Sequence, residues 1–414
     1  DVEATGQLLS ELCEDLSETH EVTVVAGRPY NMACWGSVSP ILAETRGRVR
    51  ILRAYNPRLN KRLFAARVLN LLSYFCFSFL AGFFARRPEV VVAETDPPVL
   101  GLIGLLFAKL HRAKFVFYVQ DLFPEVGVAL GQLHNPLLIK LLDAGTRQIL
   151  RGADAVVVLG HDMRERVKAK ACCRASRIRI ISNWVDTRKL RPQPKQNPFR
   201  EQHQLGGCFV VMYSGNLGLS QGLHRVIEIA AAMQDLPTVR FVFVGEGAAK
   251  ERLLTRARAL GLKNVLLLPY QPKESLSYSL SAADVHLVTL ERGLAGLIVP
   301  SKVYGILAAG RPFIAAVEEE SDIAELIRQG RCGIRVEPNS VEQLRAAILW
   351  GFNHREELQE MGQRGRGLAE RLFDRRLAVD KFRSLIAELG GKAADATKER
   401  NQIPAEVERQ PART

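Results

Sequence analysis

The run Tyr213-Ser214-Gly215-Asn216-Leu217-Gly218-Leu219-Ser220-Gln221-Gly222 sets glycines and small polar residues directly after an apolar stretch. Glycines let a backbone come close to phosphate oxygens, and a helix starting near Leu223 would aim its positive end at the same spot. A tight turn with no ligand is the alternative. Its position after the first strand of a parallel-sheet domain favours the ligand, because ligands gather at the carboxyl ends of such strands. Gly218 to Gly222 also spells GxSxG. In a nucleophile elbow, however, the serine ends its strand directly, whereas Ser214 to Leu217 intervene here and Ser220 has no acid and histidine partners in order. Anion binding is the chemistry expected of this loop.

Three further positions suit the same chemistry. Gly245-Glu246-Gly247 follows the next apolar run, where it forms either part of a binding loop or an ordinary turn, with Glu246 favouring the start of a helix. In Pro300-Ser301-Lys302-Val303-Tyr304-Gly305, Pro300 and Ser301 read as a helix start and Gly310 as its cap. Lys302 then stands in a first helical turn, where the helix dipole disfavours a cation. An anionic ligand would remove the conflict, as would a side chain that snorkels to solvent. Asp121 ends the apolar run Lys114–Val119, within Gln120-Asp121-Leu122-Phe123-Pro124-Glu125. It is placed either to orient a hydroxyl or a sugar ring or to cap the following helix.

What the sequence lacks narrows the chemistry. No DxD pair offers a catalytic metal site, no GxGxxG with a distant acid marks a dinucleotide, and no Walker loop or zinc spacing occurs. The formal charge of +13 favours an anionic partner. No basic stripe with interleaved aromatics points to nucleic acid. Seven cysteines, odd in number and without CxxC, suit a reducing compartment and no disulfide framework.

Elements that would position these residues alternate along the chain. Short apolar runs at Glu21–Val25, Val90–Ala93, Lys114–Val119, Ala155–Leu159 and Ile178–Ser182 read as parallel strands covered by helices on both faces. A second set follows at Cys208–Tyr213, Arg240–Val244, Asn264–Leu268, Val285–Val288, Pro312–Ala316 and Gly333–Val336. The division expected is a first domain over 1–186 and a proline-rich linker over 187–207. A second domain follows over 208–389, then a disordered tail over 390–414. A first strand is expected just before Asp1. Leu63 to Ala85 is apolar and aromatic, with Lys61, Arg62, Arg86 and Arg87 at its ends. Its stretch free of charge and amide is short for a spanning helix, so a buried or interface-lying helix is expected. Basic flanks of this kind suit an anionic membrane surface.

With these motifs in place, the chain resembles family 4 glycosyltransferases, the retaining GT-B group, and within it the bacterial envelope-polysaccharide branch typified by fucosamine transferases. The resemblance is carried by Ala4–Leu8, His20–Pro29, Gln120–Glu125, Gly215–Gly222, Gly245–Gly247, Pro300–Gly310 and Arg311-Pro312. It implies an α/β fold of two Rossmann-like parallel-sheet domains facing a cleft. The implied reaction moves a sugar from a nucleotide-sugar donor, a UDP-sugar, to a glycan or lipid-linked acceptor, with no metal or other cofactor. The cysteine usage and the basic-flanked Leu63–Ala85 segment add the expectation of a cytoplasmic enzyme, peripheral on the inner membrane face. By resemblance, Gly6 lies in a loop facing the donor, Gly215, Asn216, Leu217 and Gly218 run along the diphosphate, and Gln221 is a further donor-binding candidate. Ser301 belongs with Lys302, which neutralises the leaving charge, and Glu246 lies near the nucleoside. Two departures stand out. Asn216 and Gln221 replace a common Arg and Lys, and Leu297 and Gly305 stand where many members carry paired glutamates. A nucleotide-sugar epimerase and a catalytically silent sugar-nucleotide scaffold are the competing readings.

Overall fold

The computed structural model describes residues 4–28, 39–57, 59 and 64–391. The expected tail lies almost wholly outside the described residues, as do Lys61 and Arg62. The elements in chain order are α1 (Ala4–Leu16), β1 (Thr23–Gly27), β2 (Ile41–Arg46), β3 (Val49–Ala54), α2 (Phe64–Gly82), β4 (Val90–Glu94), α3 (Leu100–His111), β5 (Lys114–Tyr118), α4 (Glu125–Ala129), α5 (Pro136–Gly152), β6 (Ala155–Val158), α6 (His161–Ala169) and β7 (Ile178–Ile180). There follow α7 (Pro198–Gln202), β8 (Phe209–Ser214), α8 (His224–Ala231), β9 (Val239–Val244), α9 (Lys250–Ala259), β10 (Val265–Leu268), α10 (Leu276–Ser281), β11 (Val285–Thr289), α11 (Lys302–Ala308), β12 (Phe313–Ala316), α12 (Asp322–Gly330), β13 (Gly333–Val336), α13 (Val341–Asn353), α14 (Arg355–Leu372) and α15 (Arg375–Leu389).

Every strand read from an apolar run is present. In the second half they form one parallel six-stranded sheet, ordered β10-β9-β8-β11-β12-β13. In the first half β4-β5-β6-β7 is a parallel four-stranded sheet, and β1-β3-β2 a three-stranded one. Parallel strands buried on both faces must be apolar throughout, and Phe209 to Tyr213 and Ala155 to Val158 are accordingly all buried. The order of the large sheet steps outward from β8 in both directions. That puts the loops after β8 and β11 side by side, where a ligand crevice forms.

The structure corrects the domain division in two places. Residues read as linker include α7, which Asn197 caps through Phe199 N and Arg200 N, and Phe199 is buried. Arg200, 1% exposed, pairs with Asp284 at 2.6 Å and donates to the Ala282 carbonyl at 2.7 Å. A buried guanidinium is stable only when charge and hydrogen bonds are both satisfied, and here they are, within the second domain. Conversely, α15 leaves the second domain and packs on the first. Its Phe382 meets Tyr118 and Trp184 edge-on, and Arg375 grips Asp15 with two bonds of 2.7 Å. The chain thus crosses between the halves twice, and the crossings are stitched together by Val185 N to Phe373 O at 2.9 Å and Arg375 N to Val185 O at 3.0 Å.

Candidate active site

The glycine loop after β8 sits over the start of α11. Gly215 donates its amide to Val244 O at 2.9 Å, and Leu217 donates to Glu246 O at 2.7 Å, so the loops after β8 and β9 are bonded to each other. The fit depends on glycine. Gly245 has φ +149°, and a Cβ there would lie 2.0 Å from the Gly215 carbonyl oxygen. The far end of the loop is fixed by Thr289 Oγ1, which donates to Gln221 O at 2.6 Å, and by Glu291 N, which donates to Ser220 O at 2.8 Å. Asn216 is exposed, Leu217 is buried, and the Gln221 side-chain oxygen is buried without a hydrogen-bond partner among the described residues.

Beneath this loop lies Lys302. Its Nζ stands 3.3 Å from the centre of the Tyr213 ring and finds no hydrogen-bond donor or acceptor partner among the described residues. A Cβ on Gly215 would be 3.5 Å from it. Burial holds the amine well below the usual lysine range. The aromatic face gives a cation partial compensation, and an ammonium so placed lacks the anion that would satisfy it. The sequence expectation of a helix start holds, since α11 begins at Lys302. Ser301 occupies the cap position, although its hydroxyl makes no capping bond. Gly310 closes the helix, with Arg311 N donating to Ile306 O at 3.2 Å and Gly310 N to Leu307 O at 2.9 Å.

Asp121 faces the second domain from the first. It does not cap a helix: α4 starts at Glu125 behind Pro124, and the Asp121 amide donates to Thr95 Oγ1 at 3.1 Å. Its neighbour Leu122 donates its amide to Leu297 O at 2.8 Å, bringing Asp121 against the loop that leads into α11. Although Asp121 is reached by solvent, enough protein surrounds the carboxyl that desolvation, with Asp96 adding, pushes its pKa up to about 6. Glu94, at the end of the neighbouring strand, is pushed up to about 8 by burial and then by Asp96 and Asp121. Glu94 and Asp96 were not anticipated as site residues. The signal was available, because Val90–Glu94 is an apolar run that ends in a carboxylate as Lys114–Asp121 does.

Other positions resolve differently. Gly6 is not in a loop. It lies in the first turn of α1, where its carbonyl accepts Ser10 Oγ at 2.8 Å. Glu246 is exposed and pairs with Lys250 at 2.7 Å on the outer side of its loop. Glu125 pairs with the buried Lys170 and is structural. Leu297 is buried, and a Cβ on Gly305 would meet Leu280 at 3.4 Å, so both positions that depart from the family pattern border apolar side chains. Among the described residues no cluster of three or more His, Cys, Asp or Glu is placed to hold a metal ion.

Comparison with known proteins assigns the family. A family model described as "Glycosyl transferase 4-like domain" matches residues 4–184, and one described as "Glycosyl transferases group 1" matches residues 195–368. The chain is 30% identical to WbjE of Pseudomonas aeruginosa, named as a glycosyltransferase, over 80% of this chain and 83% of that protein. It is 28% identical to WcaI of Escherichia coli K12, named as a colanic acid biosynthesis glycosyl transferase, over 91% of this chain and 94% of that one. Among solved structures, sucrose-phosphate synthase of Thermosynechococcus elongatus matches with a TM-score of 0.74 at 16% identity, covering 94% of each chain. Anabaena HepE in complex with UDP-glucose matches with a TM-score of 0.63 at 16% identity, covering 82% of this chain and 86% of that one. At such identities these likenesses speak for the fold. The chain belongs to the family 4-like, group 1 glycosyltransferases and is a glycosyltransferase of the GT-B fold.

Proposed function

We propose that this glycosyltransferase takes its sugar from a UDP-sugar and transfers it with retention of configuration and without a metal ion. The acceptor is a glycan or a lipid-linked glycan of an envelope polysaccharide. The observation that carries the reading is the buried Lys302 amine beneath the Gly215 loop, with no hydrogen-bond partner among the described residues. A departing nucleoside diphosphate supplies the anion this site lacks, and a preoriented cation there stabilises charge as it develops. The UDP-glucose complex of HepE supports the donor class, and the colanic acid name of WcaI supports the acceptor class. Asp121 then orients the reacting sugar or the acceptor hydroxyl from the opposite wall.

A panel of nucleotide sugars tests this, reading released nucleotide with and without acceptor glycans and the anomeric configuration of the product by NMR. Transfer from a UDP-sugar with retention, undiminished in EDTA, is expected. Inversion, or a rate lost in EDTA and restored by magnesium or manganese, counts against the mechanism. Nucleotide binding with no turnover on any donor would also count against it.

A further inference from the structure

We infer that Arg366 is a positioning residue for the transfer reaction. It ties the last turn of α11 to the hinge and thereby fixes where Lys302, in the first turn of the same helix, stands. This role rests on the reading of Lys302 as the cation for the departing diphosphate. Helix α11 has little stability of its own. It is seven residues long, carries Gly305 in its interior, and follows Ser301 without a side-chain capping bond. Its placement must come from what holds it, and Arg366 holds it at the end opposite Lys302. The half-buried guanidinium donates through Nη1 to Ala308 O, on the last residue of the helix, at 2.7 Å and to Leu190 O at 2.9 Å. Its Nη2 donates to Thr187 O at 2.8 Å, and its Nε to Glu370 Oε1 at 2.8 Å. The last carbonyls of a helix lack partners within it, and a cation is the favoured group there. Thr187 and Leu190 belong to the first crossing between the domains. One side chain therefore bridges that crossing and the helix that carries the amine.

The surroundings make the tie stiff. Helix α14, which carries Arg366, lies hard against α11: a Cβ on Gly362 would collide with Gly310 O, and one on Gly365 would stand 2.8 Å from Leu307 Cδ2. The second crossing touches the same helix, since the Tyr304 ring of α11 meets the Phe373 ring edge-on at 4.9 Å. Thr187 joins the two crossings by donating from Oγ1 to the buried Asp374. Both crossings are thus fastened to α11, one through Arg366 and one through Phe373. Ala308 lies six residues beyond Lys302, a rise of about 9 Å, so a displacement of the helix end reaches the amine. A shift of about 1 Å at a reacting centre can lower a rate on the order of 10²-fold. Glutamine at 366 would leave the three carbonyls without their shared donor, whereas lysine would keep the charge and only part of the bridge.

The experiment is a double-mutant cycle on the full chain, Arg366→Gln with and without Lys302→Met. It is read in kcat and donor KM with a UDP-sugar, and in UDP affinity by calorimetry, which needs no turnover. Arg366→Gln alone is expected to lower kcat about tenfold or more with donor KM within about threefold, because the cation matters most as the bond to the diphosphate breaks. UDP affinity should weaken with it. In the Lys302→Met background the same substitution should change kcat and UDP affinity by less than about twofold. Arg366→Lys should recover part of the loss. If circular dichroism shows that Arg366→Gln does not fold, Arg366→Lys takes its place in the cycle, with a loss of about threefold expected. A kcat within about twofold of wild type in folded Arg366→Gln overturns the proposal. So does a rise in KM with kcat unchanged, or an equal loss in both backgrounds, which marks Arg366 as purely structural. Lys302→Met without effect on turnover or UDP affinity sinks the reading of Lys302 and this role with it. A loss for Lys302→Met and none for Arg366→Gln leaves that reading standing and removes only the role of Arg366.

Discussion

Asp162 and Asp322 exchange hydrogen bonds across the domain boundary: each carboxylate accepts the other's backbone amide, at 3.3 and 3.2 Å. Asp322 also accepts His161 N at 2.6 Å, and Asp162 accepts Met163 N at 2.6 Å. The start of α6 is therefore capped by the second domain, and that of α12, capped locally by Ser321, gains one further bond from the first. Two carboxylates this close disfavour joint ionisation, and the Asp162 carboxyl is raised, chiefly by burial and then by Asp322. Gly160 makes the approach possible, since a Cβ there would fall 1.7 Å from Asp322 Oδ2.

Loss of this mutual cap should loosen domain closure more than it damages either fold. Asp322→Ala is expected to cost about 1–2 kcal/mol of stability, the scale of a lost cap. It should also raise the donor KM more than it lowers kcat. X-ray scattering of the unliganded protein should show an increased radius of gyration. Unchanged KM and unchanged scattering would reduce the pair to a local cap.

Lys302→Met should separate stability from function. Removing a buried amine with no hydrogen-bond partner is expected to raise the melting temperature of the unliganded protein. Turnover should fall on the order of 10²–10³-fold, the scale of one oriented charge at a developing anion. Turnover within about threefold of wild type would remove Lys302 from the reaction.

The pH dependence follows from the raised carboxyls. Asp121, at about 6, is ionised above that pH, so a rate that needs its carboxylate falls as pH drops through 6. Asp121→Asn should lower the rate and flatten that limb of the profile. Glu94, at about 8, holds its proton in the fold at neutral pH but loses it when unfolded. Its contribution is therefore present at low pH and lost as pH rises through 8. Glu94→Gln should raise the melting temperature at pH 9 relative to wild type, with little change at pH 5. A parallel shift at both would exclude Glu94 as the titrating group.

Gly245→Ala tests the close approach of the two loops. The new methyl group would meet the Gly215 carbonyl at 2.0 Å in a backbone conformation strained for alanine, so the loop must move. A cost of about 1–3 kcal/mol is expected. UDP binding by calorimetry should weaken by about tenfold or more, the factor that corresponds to 1.4 kcal/mol. Unaltered UDP affinity would show that the Gly215 loop does not hold the diphosphate.

The parallel sheets were legible because strands covered on both faces must be continuously apolar, and Val239–Val244 and Val285–Thr289 could be little else. The β2–β3 hairpin was missed. Arg50 and Arg53 interrupt the buried Val49, Leu52 and Ala54 of β3, and β2 ends in Glu44-Thr45-Arg46, so neither is a continuous apolar run, and the two-residue turn Gly47-Arg48 is a weak marker. Helix α7 hid inside a charged, proline-rich stretch: Asn197-Pro198 is a local start signal, but the helix is short and the distant partners of Arg200, Ala282 and Asp284, are not revealed by local patterning. At the site, Lys302 was legible from the conflict between a cation and a helix start. That its amine would rest on the Tyr213 ring was not, since 89 positions of sequence separate residues that β8 and β11 bring together.

The return of α15 to the first domain bears on how such a protein can diversify. Exchange of the second domain between relatives cannot be done by a single crossover. A graft taken from 195 to the chain end would carry a foreign Phe382 and Arg375 onto a native Tyr118 and Asp15. Clean substitution needs two junctions, one near 190 and one near 374, where the strands of the hinge lie side by side. Chimeras cut at both places should express as folded proteins, whereas those cut once should fail unless α15 is restored to match the first domain.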